Sequence, residues 1–439
     1  MKKNKAGIIQ SYVWIAICVA GFIINFITYY PGFMTPDSLS QFEQSITQQY
    51  ESWHPPFMAF VWHLLDIFYK GPQVMLALQL LLLWCSCYVF AKSVENIFGK
   101  LFIMFAFFFM PFLQNYAGYV IKDSLMTLSW LLAIAILYKY SADKRRTFFF
   151  AFFSALLLLS GAWVRYNALT GLLPLCFVWS WVIFTDKKKI VKWIAAISLF
   201  LIIIGGNKLF IDKVIKPVKT YPELPIYMSD LTACFIQTHK NVYPELLYEN
   251  PNFDTNYIRA NYDPARIDNL IWCDKNLIVR NKATAEALKT AWIQTIIESP
   301  GSYIKNRYIQ FLYFAHIKEK NESAYFVPWV LPNTYGFHVN ENSKFYRGFT
   351  KYMRAQKNYF YFKPLFWILL NIALFALIPF IKDETGNIYF TGLITSSLLY
   401  LVPMFFLVTT DADFRYLYWG CIACTAALLI SVHSFLKKR

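Results

Sequence analysis

A few ionisable residues stand where the apolar pattern of this chain leaves little room for charge. Asp37 lies in "GFMTPDSLSQFEQ" (Gly32 to Gln44), just after an apolar stretch. His54 lies in "SWHPPF", Lys122 and Asp123 in "YVIKDSL", Arg165 in "GAWVRYN" and Arg415 in "TTDADFRYLYW". A carboxylate just outside a bilayer can take a proton from an attacking hydroxyl. Guanidinium and ammonium groups can hold a phosphate leaving group and stabilise its developing charge, and Arg does so with a planar, permanently charged fork. Asp37, Lys122, Arg165 and Arg415 supply the parts of a transfer reaction on a lipid phosphate. Each also has a plain structural reading. Asp37 would cap a helix N-terminus. His54 with Pro55 and Pro56 would make a rigid turn. Lys122 and Asp123 would pair locally at a helix start. The two arginines would snorkel to lipid phosphates.

The elements that must position these residues are membrane helices. Of 439 residues, 57% are hydrophobic and only 15% charged, where a soluble chain carries about a quarter. Phe, Tyr and Trp are abundant, as suits interfacial aromatic belts. The net charge of +16 does not mark a nucleic-acid binder, because the basic residues gather in short blocks between apolar segments: "KKNK", "DKRR", "DKKK" and "LKKR". Apolar stretches near 10–30, 73–91, 101–118, 121–139, 148–164, 167–184, 190–206, 364–381, 388–408 and 416–435 predict about ten transmembrane helices in a mainly α chain. The third is short and interrupted by Pro111. With both termini cytoplasmic, most basic blocks face the cytoplasm. The motifs named above then share the external face, where ionisable groups at membrane depth point to one site. The N-terminal run is too long for a signal peptide and reads as an uncleaved first span.

This pattern divides the chain into a membrane module at 1–206 with seven spans, an external mixed domain at 207–363, and a second membrane module at 364–439 with three spans. In the first external loop, 31–72, Leu39, Phe42, Ile46 and Tyr50 form one apolar stripe of a short interfacial helix, and 57–69 reads as a second. Thr284 to Pro300 has the period of an amphipathic helix, with Leu288, Trp292, Ile293, Ile296 and Ile297 on one side. No zinc pattern, nucleotide loop or internal repeat is present. Cys234 and Cys273, both in the external domain, are candidates for a disulfide.

The arrangement resembles the GT-C glycosyltransferases, polytopic enzymes that use polyprenyl-phosphate-linked sugars. "MTPDS" puts Asp37 at the family's catalytic-acid position, "WHPPF" looks like its His-Pro-Pro element, and "KDSLMTLSWLLAIAILYKY", "VRYNALTGLLP" and "DFRYLYW" are similar to its later motifs. The resemblance implies transfer of a hexose, glucose first, from a polyprenyl-phosphate donor to a lipid-linked or cell-surface glycan on the external face of a bacterial cytoplasmic membrane. It implies Asp37 as general base, with Lys122, Arg165 and Arg415 on the donor phosphate. It implies Trp53, His54 and Asp123 on sugar or acceptor, with no cofactor beyond a divalent metal in members that use one. Ser38 stands where many relatives carry a second acid. The plan also looks like that of phage-encoded O-antigen glucosyltransferases. Two rival readings remain: a flippase for lipid-linked sugars, whose folds often show repeats and broken midplane helices, and a non-catalytic assembly partner.

Overall fold

The computed structural model describes residues 2–143, 148–273, 275–318, 326–381, 384–407 and 413–437. Thr409 to Ala412 of the "TTDADFRYLYW" motif, and the basic residues 144–146, 438 and 439, lie outside them. Among the described residues the chain is helical, and its β pairing is confined to isolated bridges. The inserted segment is therefore all-α where a mixed domain was expected.

The first half comprises α1 (Lys2–Tyr29), α2 (Pro36–Thr47), α3 (Phe57–Leu65), α4 (Pro72–Ser93), α5 (Ile97–Phe109), α6 (Pro111–Ala117), α7 (Lys122–Asp143), α8 (Phe148–Trp163), α9 (Ala168–Ile183) and α10 (Lys189–Leu209). The inserted segment adds α11 (Leu224–Thr238), α12 (Thr255–Asn261), α13 (Asp268–Ile271), α14 (Lys282–Glu298), α15 (Pro300–Phe314) and α16 (Lys344–Gln356). The chain returns through α17 (Pro364–Leu377), α18 (Glu384–Leu407) and α19 (Tyr418–Lys437). Proline opens α2, α4, α6, α15 and α17. Its ring presets the helical φ, and its missing N–H falls where no intrahelical acceptor exists.

This is a mainly α membrane protein. Among the described residues, six helices are long and apolar enough to cross a bilayer: Tyr12–Tyr29, Pro72–Ser93, Lys122–Ser141, Lys189–Ile215, Gly386–Phe406 and Phe414–Ser434. The third expected span is the pair α5 and α6, bent by 53° where Pro111 cannot continue the ladder. Three further expected spans are short apolar helices, Phe148–Trp163, Ala168–Ile183 and Pro364–Phe380. At ~1.5 Å per residue, sixteen residues reach only about 24 Å, less than the ~30 Å of a hydrocarbon core.

Buried polar groups brace the body at the end that carries the site. Asn25 of α1 donates to Gln114 of α6 at 2.9 Å and accepts from Trp84 of α4 at 3.0 Å, and Tyr29 bonds to Gln114 as well. The following turn needs Gly32. Its φ is +117°, and a Cβ there would sit 2.6 Å from the Val120 side chain. This lets Phe33 and Met34 run between two neighbours: Phe33 donates to Gly118 at 2.9 Å, and Met34 donates to Trp329 at 3.1 Å. The start of α2 is thereby clamped from both sides.

In α2 the apolar stripe is shorter than expected. Phe42 is buried among Trp62, Tyr335 and Phe337, while Ile46 is exposed and Tyr50 lies beyond the helix, packed with Ala59 and Ile215. Buried Gln41, Gln44 and Ser45 share the packed face.

Packing divides the inserted segment. Leu224, Met228, Leu231, Leu270 and Leu288 belong to a core of their own. Phe326, Val339, Met353 and Phe362 join the core of the membrane body instead. Within the separate core, α14 is less one-sided than its sequence suggests: Leu288 is buried, but Ile297 is 74% exposed. Cys234 and Cys273 are both free thiols, Cys273 donating to the Leu270 carbonyl.

Candidate functional site

Thr35 is the N-cap of α2, and its backbone N–H donates to Ser38 Oγ at 3.1 Å. Asp37 is therefore not the cap. It lies within the first turn, where the helix dipole favours a negative charge but leaves the side chain free to point elsewhere. It points into a cleft of about 1750 Å³, bounded by the membrane body below and the inserted unit above. Trp53, His54, Lys122, Arg165 and Arg415 line the same cleft.

The contacts are specific. Lys122 Nζ and Arg415 Nη1 each donate to Asp37 Oδ2 at 3.1 Å. His54 Nε2 lies 3.5 Å from Oδ1. Lys122 Nζ also reaches His54 Nδ1 at 2.8 Å. An ammonium has only protons to give, so Nδ1 is the acceptor and the imidazole proton sits on Nε2, facing Asp37. Burial alone would raise the Asp37 carboxyl, but the charges of Lys122, His54 and Arg415 outweigh it and hold the group well below the usual carboxylate range. Burial, reinforced by Lys122, pushes the His54 imidazole below its ordinary value despite the pull of Asp37. The centre at neutral pH is thus an ionised carboxylate, a guanidinium, an ammonium and a neutral histidine.

The adjacent pair Lys122–Asp123 does not pair with itself. Successive residues of a helix point about 100° apart. Lys122 turns into the cleft, and Asp123 turns beneath it, 1% exposed, to hold Arg165 in an ion pair. Asp123 is therefore not on the cleft wall. Arg165 is itself only 6% exposed, donates through Nε to Asn167 Oδ1 at 2.7 Å, and lays its guanidinium 5.0 Å from the Tyr416 ring. Arg415 approaches the same ring at 5.2 Å. Its orientation is set by Asp413, whose Oδ1 accepts from the Arg415 backbone N–H at 3.0 Å and whose Oδ2 lies 2.9 Å from Nε as an ion pair. Neither arginine snorkels outward.

Asp413, Tyr416 and Tyr166 join the site without having been singled out from sequence. All three sit inside quoted motifs, so the signal was present. Trp272 and Arg280 of the inserted unit also line the cleft, and nothing in their local sequence marks them. Several helices begin here. Asp37 is in the first turn of α2, Lys122 opens α7, Asn167 precedes α9 and Arg415 precedes α19. Their N-terminal ends add positive potential, which suits an anionic group. Among the described residues no group of three or more His, Cys, Asp or Glu is gathered for a metal ion. No protein-family model and no curated protein matches the chain.

Proposed function

We propose that this protein is a glycosyltransferase of the GT-C type. It moves a hexose, glucose first, from a polyprenyl-phosphate donor to a lipid-linked or cell-surface glycan such as an O-antigen. The observation that carries the reading is one ionised carboxylate, Asp37, held by Lys122 and Arg415 in a large cleft between a membrane body and an inserted unit. A donor whose lipid tail is buried and whose sugar is exposed meets such a cleft at the level where Asp37 stands.

In this mechanism the donor phosphodiester binds at Lys122 and Arg415, with Arg165 behind them. The anion competes with Asp37 for the same donors. As it takes them, the carboxylate loses the contacts that depress its proton affinity and becomes a better base. Asp37 then removes the proton from an acceptor hydroxyl, and the hydroxyl oxygen bonds to the anomeric carbon. The bond from that carbon to the phosphate oxygen breaks, and the electron pair leaves with the polyprenyl phosphate. The arginine fork and the ammonium stabilise the departing anion, a contribution worth roughly 10²–10³ in rate per donor in comparable sites. His54, neutral, keeps Asp37 aimed through its Nε2 proton.

The membrane arrangement that fits this chemistry has ten crossings: six long helices, the bent α5–α6 pair and three short apolar helices. Both termini are cytoplasmic, the basic blocks face the cytoplasm, and the cleft opens on the external face of a bacterial inner membrane. Asp37 and Arg415 lie at the ends of segments that this arrangement brings to one side.

The deciding measurement is transfer by the purified wild type and Asp37→Asn, each offered a panel of polyprenyl-phosphate sugars and a lipid-linked polysaccharide acceptor. Transfer by wild type and its loss in a folded variant support the assignment. Equal transfer by both removes Asp37 from the mechanism. Translocation of a lipid-linked sugar in vesicles without transfer replaces the enzyme with a flippase.

A further inference from the structure

We infer that the inserted unit carries a binding wall for a neutral oligosaccharide, centred on Trp272 and completed by Trp53 of the first loop. Its use as the acceptor subsite rests on the glycosyl-transfer reading; the binding itself does not.

Room for such a ligand exists. Small-molecule pockets measure roughly 300–1,000 Å³, and the cleft here holds about 1750 Å³. The cations occupy its membrane-body floor. The opposite side is of another kind: Trp53, Tyr257, Asn261, Asn269, Trp272 and Arg280 line it. Trp272 is 53% exposed. Its ring meets Trp53 edge to face, with centroids 5.0 Å apart at 72°. The Arg280 guanidinium lies 3.9 Å from the Trp272 centroid and 5.4 Å from that of Trp53. Arg280 is itself tied down by donating to the Ile271 carbonyl at 3.0 Å. An indole braced by a cation and a second aromatic ring, yet half open to a cleft, keeps a large apolar surface in water.

Pyranose rings present one face of C–H groups and a rim of hydroxyls. The face suits a rigid aromatic surface, and the rim suits amides, which donate and accept at once. Asn261, whose Nδ2 also donates to the Tyr257 carbonyl at 2.9 Å, and Asn269 provide such amides on the lining of the same cleft. The charges of the wall are answered locally. Arg266 pairs with Asp268 at 3.5 Å, and Glu51 faces Arg280 with opposite charge. An acidic glycan would find these cations already engaged, so the chemistry favours an uncharged chain.

The test uses full-length protein in lipid nanodiscs and saturation-transfer NMR with linear tetrasaccharides of glucose, of N-acetylglucosamine and of rhamnose. Wild type and Asp37→Asn are expected to bind one probe saturably at millimolar concentration or below. Trp272→Ala should bind it about tenfold more weakly, the loss of one aromatic contact, and Trp272→Phe should restore most of the difference. Thermal unfolding of Trp272→Ala at the wild-type temperature confirms that the wall and not the fold was lost. Absence of binding to every probe, or equal binding by Trp272→Ala, overturns the proposal. Glycan binding with no transfer, or with transfer unaffected by Asp37→Asn, leaves this wall standing and overturns the enzymatic reading alone.

Discussion

Asp230 and Asp37 are both aspartates on helices, and both face an arginine that comes from far along the chain. Their surroundings differ. Asp230 on α11 is sealed at 2% exposure, with Oδ1 accepting from Asn306 at 2.8 Å and Oδ2 from Trp292 at 2.7 Å and from Arg307. Gln310, which accepts from Arg307, donates in turn to Ser229 at 2.7 Å, so α11, α14 and α15 are cross-linked by one network. Burial pushes the Asp230 carboxyl up against the pull of Arg307. Asp37 has cations on one oxygen, a longer approach from His54 on the other, and a cleft in front. A carboxylate whose acceptor sites are filled and sealed can only hold helices together. One whose cations can be shared with an incoming anion can do chemistry.

The contrast is broken or sharpened most strongly by removing each charge in turn. Asp37→Asn is expected to lower turnover by about 10²–10⁴, the range for a lost general base, with the unfolding temperature nearly unchanged. Donor binding should hold or tighten, because Lys122 and Arg415 no longer share their protons with a carboxylate. Asp230→Asn should behave in the opposite sense. It leaves Arg307 buried without its counter-ion, at a cost of about 3–5 kcal/mol, while turnover per folded molecule is retained. Denaturant titrations alongside activity would separate the two, and loss of activity without loss of stability in Asp230→Asn would collapse the distinction.

Arg415→Met should cost about 10²–10³ in rate, and Arg415→Lys should recover part of it, since an ammonium keeps the charge but not the fork. A smaller effect lies in the pH profile. A histidine whose folded value is lowered favours the neutral form, so its contribution is present above the ordinary value of 6.5 and is lost as pH falls through the folded value. Asp37, held below 3.8, stays ionised over that range. Activity should therefore decline on the acid side, below the ordinary histidine value of 6.5, through His54, and His54→Gln should flatten that limb by a few-fold. If the limb persists in His54→Gln, another group sets it. Smallest of all, Ile46→Gln should shift stability by no more than about 0.5 kcal/mol, because the side chain is exposed.

Much of the architecture was legible in the sequence for physical reasons that act locally. Long apolar runs mark helices that cannot leave backbone groups unpaired in lipid, and a proline at a helix start needs no tertiary help. The polar motifs could be found because charge is rare in such a chain, and His54, Lys122, Arg165 and Arg415 do meet at Asp37's cleft. The stripe from Leu39 to Tyr50 was overextended because α2 ends at Thr47, with Gln48 in a left-handed conformation. The amphipathic face of α14 was likewise overread, since Ile293 and Ile297 stay exposed.

The sequence by itself determined which residues were costly to place and roughly which segments would form long apolar helices, because composition and periodicity are properties of neighbours along the chain. Only the tertiary structure decided who meets whom. It sent Lys122 to Asp37 and its neighbour Asp123 to Arg165, joined Arg415 to an acid 378 positions away, and brought Trp272 over the cleft. Such partnerships depend on how helices rotate and pack once folded, and no local spacing encodes a contact that only packing creates.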